Sequence, residues 1–235
     1  MSRRWIAGAA GLVIMAVIVL FPLRLALGLS DMQSIGFTAR QVEGTIWSGR
    51  IGELHMRSQP LGAMDVALDP FALLLGNLSL GFKRLDNPEG PLEGRLVTGS
   101  TRGLVDTSGR IAVADMFAPL PIAALELDRV TVQFRDGQCD KASGQVRPII
   151  AAPIPGVTLE NAGLVGAVEC DGQRARVRME TPSGAERLEF YVQESGQYRG
   201  WMSVRNSRPD VAGALSIFGF RPSPQGMTLT VDGRL

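Results

Sequence analysis

Histidine occurs once, cysteine twice and tyrosine twice in 235 residues, and aromatic residues make up only 6% of the chain. Each scarcity removes a class of chemistry. His55 has no second histidine or cysteine at metal-ligand spacing, which excludes a His-rich zinc site. Cys139 and Cys170 are too far apart in sequence for a C-x-x-C redox pair. There is no Gly-x-Ser-x-Gly elbow for a serine nucleophile and no Gly-x-x-x-x-Gly-Lys loop for ATP. Nor does any motif pair two carboxylates as sugar hydrolysis requires.

An excess of one charge is also missing. The chain has 24 basic and 23 acidic residues, a formal net charge of +1. Three of the basic ones, Arg3, Arg4 and Arg24, flank an apolar N-terminal stretch, and the rest of the chain is close to neutral. A nucleic-acid binder carries a basic stripe or excess. The nearest approach to one is Arg174, Arg176 and Arg178, but Glu169, Asp171 and Glu180 lie beside them, so the trio reads as a solvated strand face. No nucleic-acid partner and no cofactor is expected.

What the chain does have is, first, an uncharged run from Ile6 to Leu23. Eighteen residues of helix would span roughly 27 Å, close to the thickness of a hydrocarbon core. With Trp5 at an interface and Arg3 and Arg4 held inside, residues 1–29 are expected to form a cytoplasmic tip and a transmembrane anchor. Ala26 and Gly28 also have the small-x-small spacing of a signal-peptide cleavage site, so cleavage stays open. Either way the remaining residues, 30–235, are exported. No cysteine stands near Gly28, so a lipoprotein anchor is excluded.

After Leu29 the dominant hydrophobic period is two, which predicts strands. Leu78–Lys83 and Met227–Asp232 alternate cleanly. Leu164, Gly166, Val168 and Cys170 share one face, and Asp171-Gly172 then leads into Ala175, Val177 and Met179, a hairpin pattern. Between Leu127 and Val130 the alternation changes phase, which predicts a bulge or a change of sheet at Asp128-Arg129. Helices are scarce. Asp69-Pro-Phe-Ala-Leu-Leu-Leu-Gly76 has a cap, a first-turn proline and a stop, and is expected to plug one side of a sheet. A second short turn is expected within Met116–Leu125. A Pro-rich stretch, 147–156, divides the strands into two groups. The expected fold is all-β: an N-terminal transmembrane helix, then a curved, mostly antiparallel sheet with short helical plugs.

Outside the cytoplasm, Cys139 and Cys170 favour a structural disulfide joining two hairpin ends across the Pro-rich stretch. His55 reads as an outward-facing strand residue, although composition alone leaves room for a His55 base beside a serine and an aspartate. In Gly44-Thr-Ile-Trp-Ser-Gly-Arg50, the glycines read as flexible points around a short strand. Trp47 is expected to pack against the sheet or to contact a partner.

The order of these pieces resembles the type II secretion system protein N family. The resemblance rests on the apolar start, Gly44-Thr-Ile-Trp-Ser-Gly-Arg50, Leu68-Asp-Pro-Phe-Ala-Leu-Leu-Leu-Gly-Asn-Leu78, Cys139-Asp-Lys-Ala-Ser-Gly144 and Leu164-Val-Gly-Ala-Val-Glu-Cys-Asp-Gly172. Val66-Ala-Leu68 departs from the family by lacking a second tryptophan. The resemblance implies a single-pass inner-membrane protein with its N-terminus cytoplasmic and a β-rich bulk in the periplasm. It implies a non-enzymatic accessory role in exporting folded proteins across the outer membrane. It also implies platform proteins of the machine as partners, with the secretin or secreted cargo as further candidates. Two other readings stand beside it. One is a periplasmic carrier holding lipid or envelope polymer in a β groove. The other is an envelope hydrolase using His55.

Overall fold

The computed structural model describes residues 12, 15–29, 37–56, 59–84, 90–114, 116–150, 163–205 and 209–234. The period-two pattern is realised in them as fifteen strands of one sheet, paired antiparallel throughout. The first half contains β1 (Phe37–Thr38), β2 (Gln41–Thr45), β3 (Ser48–Met56), β4 (Gln59–Leu68), β5 (Leu78–Arg84), β6 (Leu92–Thr98) and β7 (Arg102–Ala112). Two long strands, β8 (Ile122–Arg135) and β9 (Gln138–Ile150), form the middle. The second half contains β10 (Val165–Asp171), β11 (Arg174–Glu180), β12 (Glu186–Gln193), β13 (Gln197–Val204), β14 (Arg221–Ser223) and β15 (Gly226–Arg234). From β3 to β13 each strand pairs with the next in sequence; β15 then follows β13, and β14 is outermost.

Short helices interrupt this meander: α1 (Leu23–Leu29), α2 (Pro70–Leu74) and α3 (Pro209–Ile217). Helix α3 buries Val211 and Leu215, one turn apart on one face, in the core of the second half, beside Leu188, Met202 and Phe220. The first half has its own core, with Leu23, Ile51, Met64, Val66 and Leu92 at its centre. Between the two, Val130, Val146 and Val168 pack on the middle strands.

The phase change at Asp128-Arg129 is a bulge. The β8–β9 register shifts between Asp128 and Thr131, and Arg129 takes φ 48°. The partner strand answers with Gly144 at φ 98°, where a Cβ would stand 2.6 Å from the Arg129 carbonyl oxygen. Only glycine lets the two backbones approach so closely.

Two expectations are corrected. Part of the run expected to form a transmembrane helix, residues 6–11, 13 and 14, lies outside the described residues. Among the described residues no helix is long and apolar enough to cross a membrane. Pro22 supplies a physical reason. Helix at residues 15–19 stops there, Pro22 bridges to Thr45, and α1 begins afresh as a separate seven-residue helix. The single-pass inner-membrane topology built on that helix loses its support. The curved sheet is corrected as well. The strands follow an open path whose terminal strands, β1 and β14, do not pair with each other, because hairpin-by-hairpin order brings no strand back to the start.

Candidate functional site

The stretch Gly44–Arg50 is a tight hairpin rather than a strand between flexible points. Gly44 pairs with Gly49 and Thr45 with Ser48, leaving Ile46 and Trp47 as its two-residue turn. The turn grips the N-terminal segment. Ile46 N–H donates to the Phe21 carbonyl (3.1 Å), and the half-buried Trp47 donates Nε1–H to the Ile18 carbonyl (2.9 Å). The Ile46 carbonyl in turn accepts from Leu68 N–H (2.9 Å), just ahead of α2. Trp47→Phe keeps the ring but removes the donor. It is expected to change urea stability by about 1 kcal/mol or less, while tryptic cleavage after the exposed Arg24 becomes faster.

Helix α2 has the predicted caps. Asp69 Oδ1 accepts from the Phe71 and Ala72 amides (2.9 and 3.4 Å), and Gly76 ends the helix at φ 75°. It is not a plug. None of its side chains is buried, and Phe71, Leu74 and Leu75 are 75%, 82% and 80% exposed. Among the described residues it is α3, with Val211 and Leu215, and α1, with Leu23, that send buried side chains into the cores.

On the solvent face of the first half, register lines up charges of alternating sign. Glu43 lies opposite Arg50, Arg50 opposite Asp65, Asp65 opposite Lys83, and Lys83 opposite Glu93. Arg50 grips Asp65 with two hydrogen bonds (2.7 and 3.2 Å), and Lys83 meets Glu93 at 3.1 Å. These residues line an open depression of about 820 Å³. Exposed pairs of this kind add little stability, but a strand slip would separate the partners and, between β5 and β6, could set Lys83 against Arg95, so they favour the native register. The hydrogen bond from Arg50 holds the Asp65 carboxyl below its ordinary range. Its contribution to folding is therefore present above the unfolded-state pKa and fades as pH falls through the lower folded value. Carboxyl NMR should find Asp65 titrating below a free aspartate, and Arg50→Met should move the midpoint up.

A second depression, of about 520 Å³, includes Arg110, Glu126 and Arg147 in its wall, with Arg110 bound to Glu126 at 2.8 Å. Neither depression is the continuous Leu, Ile and Phe groove that a lipid carrier requires. The arginine trio of β11 is likewise paired: Arg174 with Asp171 (3.4 Å), Arg176 with Glu169 (3.1 Å) and Arg178 with Glu180 (2.7 Å). Tyr191, under the Arg174 guanidinium and stacked on Trp201, has its phenol pKa raised first by burial and then by its hydrogen bond to Glu189. His55 is half-buried and its Nδ1 lies 2.9 Å from the Glu53 carbonyl. Among the described residues no three His, Cys, Asp or Glu side chains converge as metal ligands.

The cysteines sit where several turns meet, six strands along the sheet from Trp47. Cys139 and Cys170 are disulfide-bonded with Cα atoms 5.5 Å apart, and Cys139 N–H donates to the Gly172 carbonyl (3.1 Å). Strands β9 and β10 otherwise pair only at Gly166–Val146 and Ala167–Gln145, so the bridge closes a ladder that has already lapsed. Next to it, Gly137 N–H donates to Glu194 Oε2 (2.8 Å), tying in the β12–β13 turn.

Sequence reasoning missed Arg84. Its side chain is almost fully buried and donates to three main-chain carbonyls: Leu61 (3.1 Å), Gly90 (3.0 Å) and Arg110 (2.6 Å). One signal was available: Arg84 continues the inward phase of Leu80 and Phe82, where an apolar residue is expected.

The model of one protein family, described as type II secretion system (T2SS), protein N, matches residues 36–230. No curated protein and no solved structure matches the chain.

Proposed function

The chain belongs to the type II secretion system protein N family, and from that premise we propose how it serves the secretion machine. Membership makes it a non-catalytic accessory component of that machine. In our reading, residues 30–235 work as a periplasmic β-rich domain that supports export of folded proteins from the periplasm across the outer membrane. Its partners are platform proteins of the machine; the secretin and the cargo are further candidates. The Cys139–Cys170 bridge has a structural role, and Trp47 a packing one.

The observation that carries the mode of contact is an open sheet edge. Strand β14 covers only Gly226–Thr228 of β15. Among the described residues, no strand runs along the outer side of the remainder, Leu229–Arg234. Such an edge offers backbone donors and acceptors to an added strand, while buried Leu229 and Val231 alternate with exposed Thr230 and Asp232. A photocrosslinker at Thr230, in cells with the machine assembled, should capture a platform protein. Recovery of no machine component from such membranes would defeat this reading.

A further inference from the structure

Helix α2 is a well-made helix without a core. Its cap is satisfied, yet it buries no side chain and turns Phe71, Leu74 and Leu75 outward. From Pro70 to Phe82 the sequence carries no charge. A solvated connection between two strands is normally polar, so this one is built to be covered.

Its position indicates by what. The Ile46-Trp47 turn is hydrogen-bonded on one side to Ile18 and Phe21 and on the other to Leu68, the residue before the α2 cap. A second exposed apolar surface, including Met15 (68%), Ile18 (52%) and Leu20 (67%), is therefore rooted on the same turn as α2. The two segments together present aliphatic and phenyl groups, with the indole of Trp47 between their roots. Protein hot spots mix aromatic anchors with arginine and other hydrogen-bonding groups. This patch instead has the chemistry of hydrocarbon contact, with a tryptophan at its border.

We propose that α2 enters the surface of a lipid bilayer side-on, as a shallow contact made by Phe71, Leu74 and Leu75 that requires no spanning helix. Insertion of this type reaches about 5–10 Å, to the boundary between headgroups and acyl chains. Because α2 carries no basic residue, the contact does not depend on anionic lipid.

The full chain carrying Leu74→Cys tests this, since both native cysteines are bridged and the new thiol alone takes an NBD label. Gln225→Cys, in the exposed β14–β15 turn at the opposite end of the strands, is the control. With phosphatidylcholine vesicles, the Leu74 label should shift to the blue. It should lose most of its emission to lipid-borne nitroxide at low and high salt alike, while the Gln225 label does neither. A Leu74 label that stays fully open to aqueous iodide overturns the proposal. So does one shielded from both iodide and nitroxide, which would mean a protein contact. Phe71→Ser, Leu74→Ser and Leu75→Ser combined should leave the unfolding midpoint unchanged, since none of the three is buried.

Discussion

Replacing Arg84 with methionine is expected to destabilise the protein by about 3–5 kcal/mol, because buried carbonyls lose their donors while little volume changes. The guanidinium joins β4 through Leu61, the approach to β6 through Gly90, and β7 through Arg110. No single hydrophobic side chain can replace a fork that donates in three directions. Lysine keeps the charge but presents a point donor instead of a planar fork, so Arg84→Lys should recover only part of the loss. Urea denaturation of the wild type, Arg84→Met and Arg84→Lys measures both steps. A loss below about 1 kcal/mol for Arg84→Met would mean that the carbonyls find water instead.

Removing the disulfide comes next in size. Cys139→Ser with Cys170→Ser opens a loop of 31 residues' separation, which by chain entropy costs about 3–4 kcal/mol. For a domain of this length that is a fall in Tm on the order of 10 °C. The loss is also expected to be local at first. The β9–β10 ladder has only two paired positions, so amides of the β10–β11 turn should exchange faster with solvent before the sheet as a whole unfolds. Reducing the wild-type protein should reproduce both changes. Equal Tm values for oxidised and reduced protein would show that the lapsed ladder needs no staple.

Much of the fold could be read from the sequence, and the parts that could not fail for identifiable reasons. The alternation of Leu78–Lys83 and Met227–Asp232 became β5 and β15, and the hairpin read at Asp171-Gly172 formed one residue further on, with Asp171 paired to Arg174 and Gly172-Gln173 as the turn. The phase slip at Asp128-Arg129 marked a real bulge. These are local signals, set by side-chain period and turn chemistry. Helix α3 escaped notice because Gly213 sits inside it and it lacks a polar face to make its period stand out. Its helicity comes from burying Val211 and Leu215 against strands distant in sequence. For α2 the caps were legible but the burial was not: an apolar run gives no indication of whether the rest of the chain covers it.

The candidate surfaces divide in the same way. Trp47 stood out by its type, but its bond to Ile18 depends on how the N-terminal segment folds back. The charge ladder from Glu43 to Glu93 is invisible until register places five scattered residues opposite one another. The N-terminal run was overread because hydropathy counts residues and does not weigh the interruption at Pro22.

The central claim is that this protein is a non-catalytic accessory part of a secretion machine. The most direct measurement deletes the chain from cells in which the rest of the machine is assembled, and assays an exported enzyme in the medium and in the periplasm. The account predicts that folded, active enzyme accumulates in the periplasm, and that His55→Ala restores export as well as the wild-type chain does. Unchanged export in the deletion strain would contradict it.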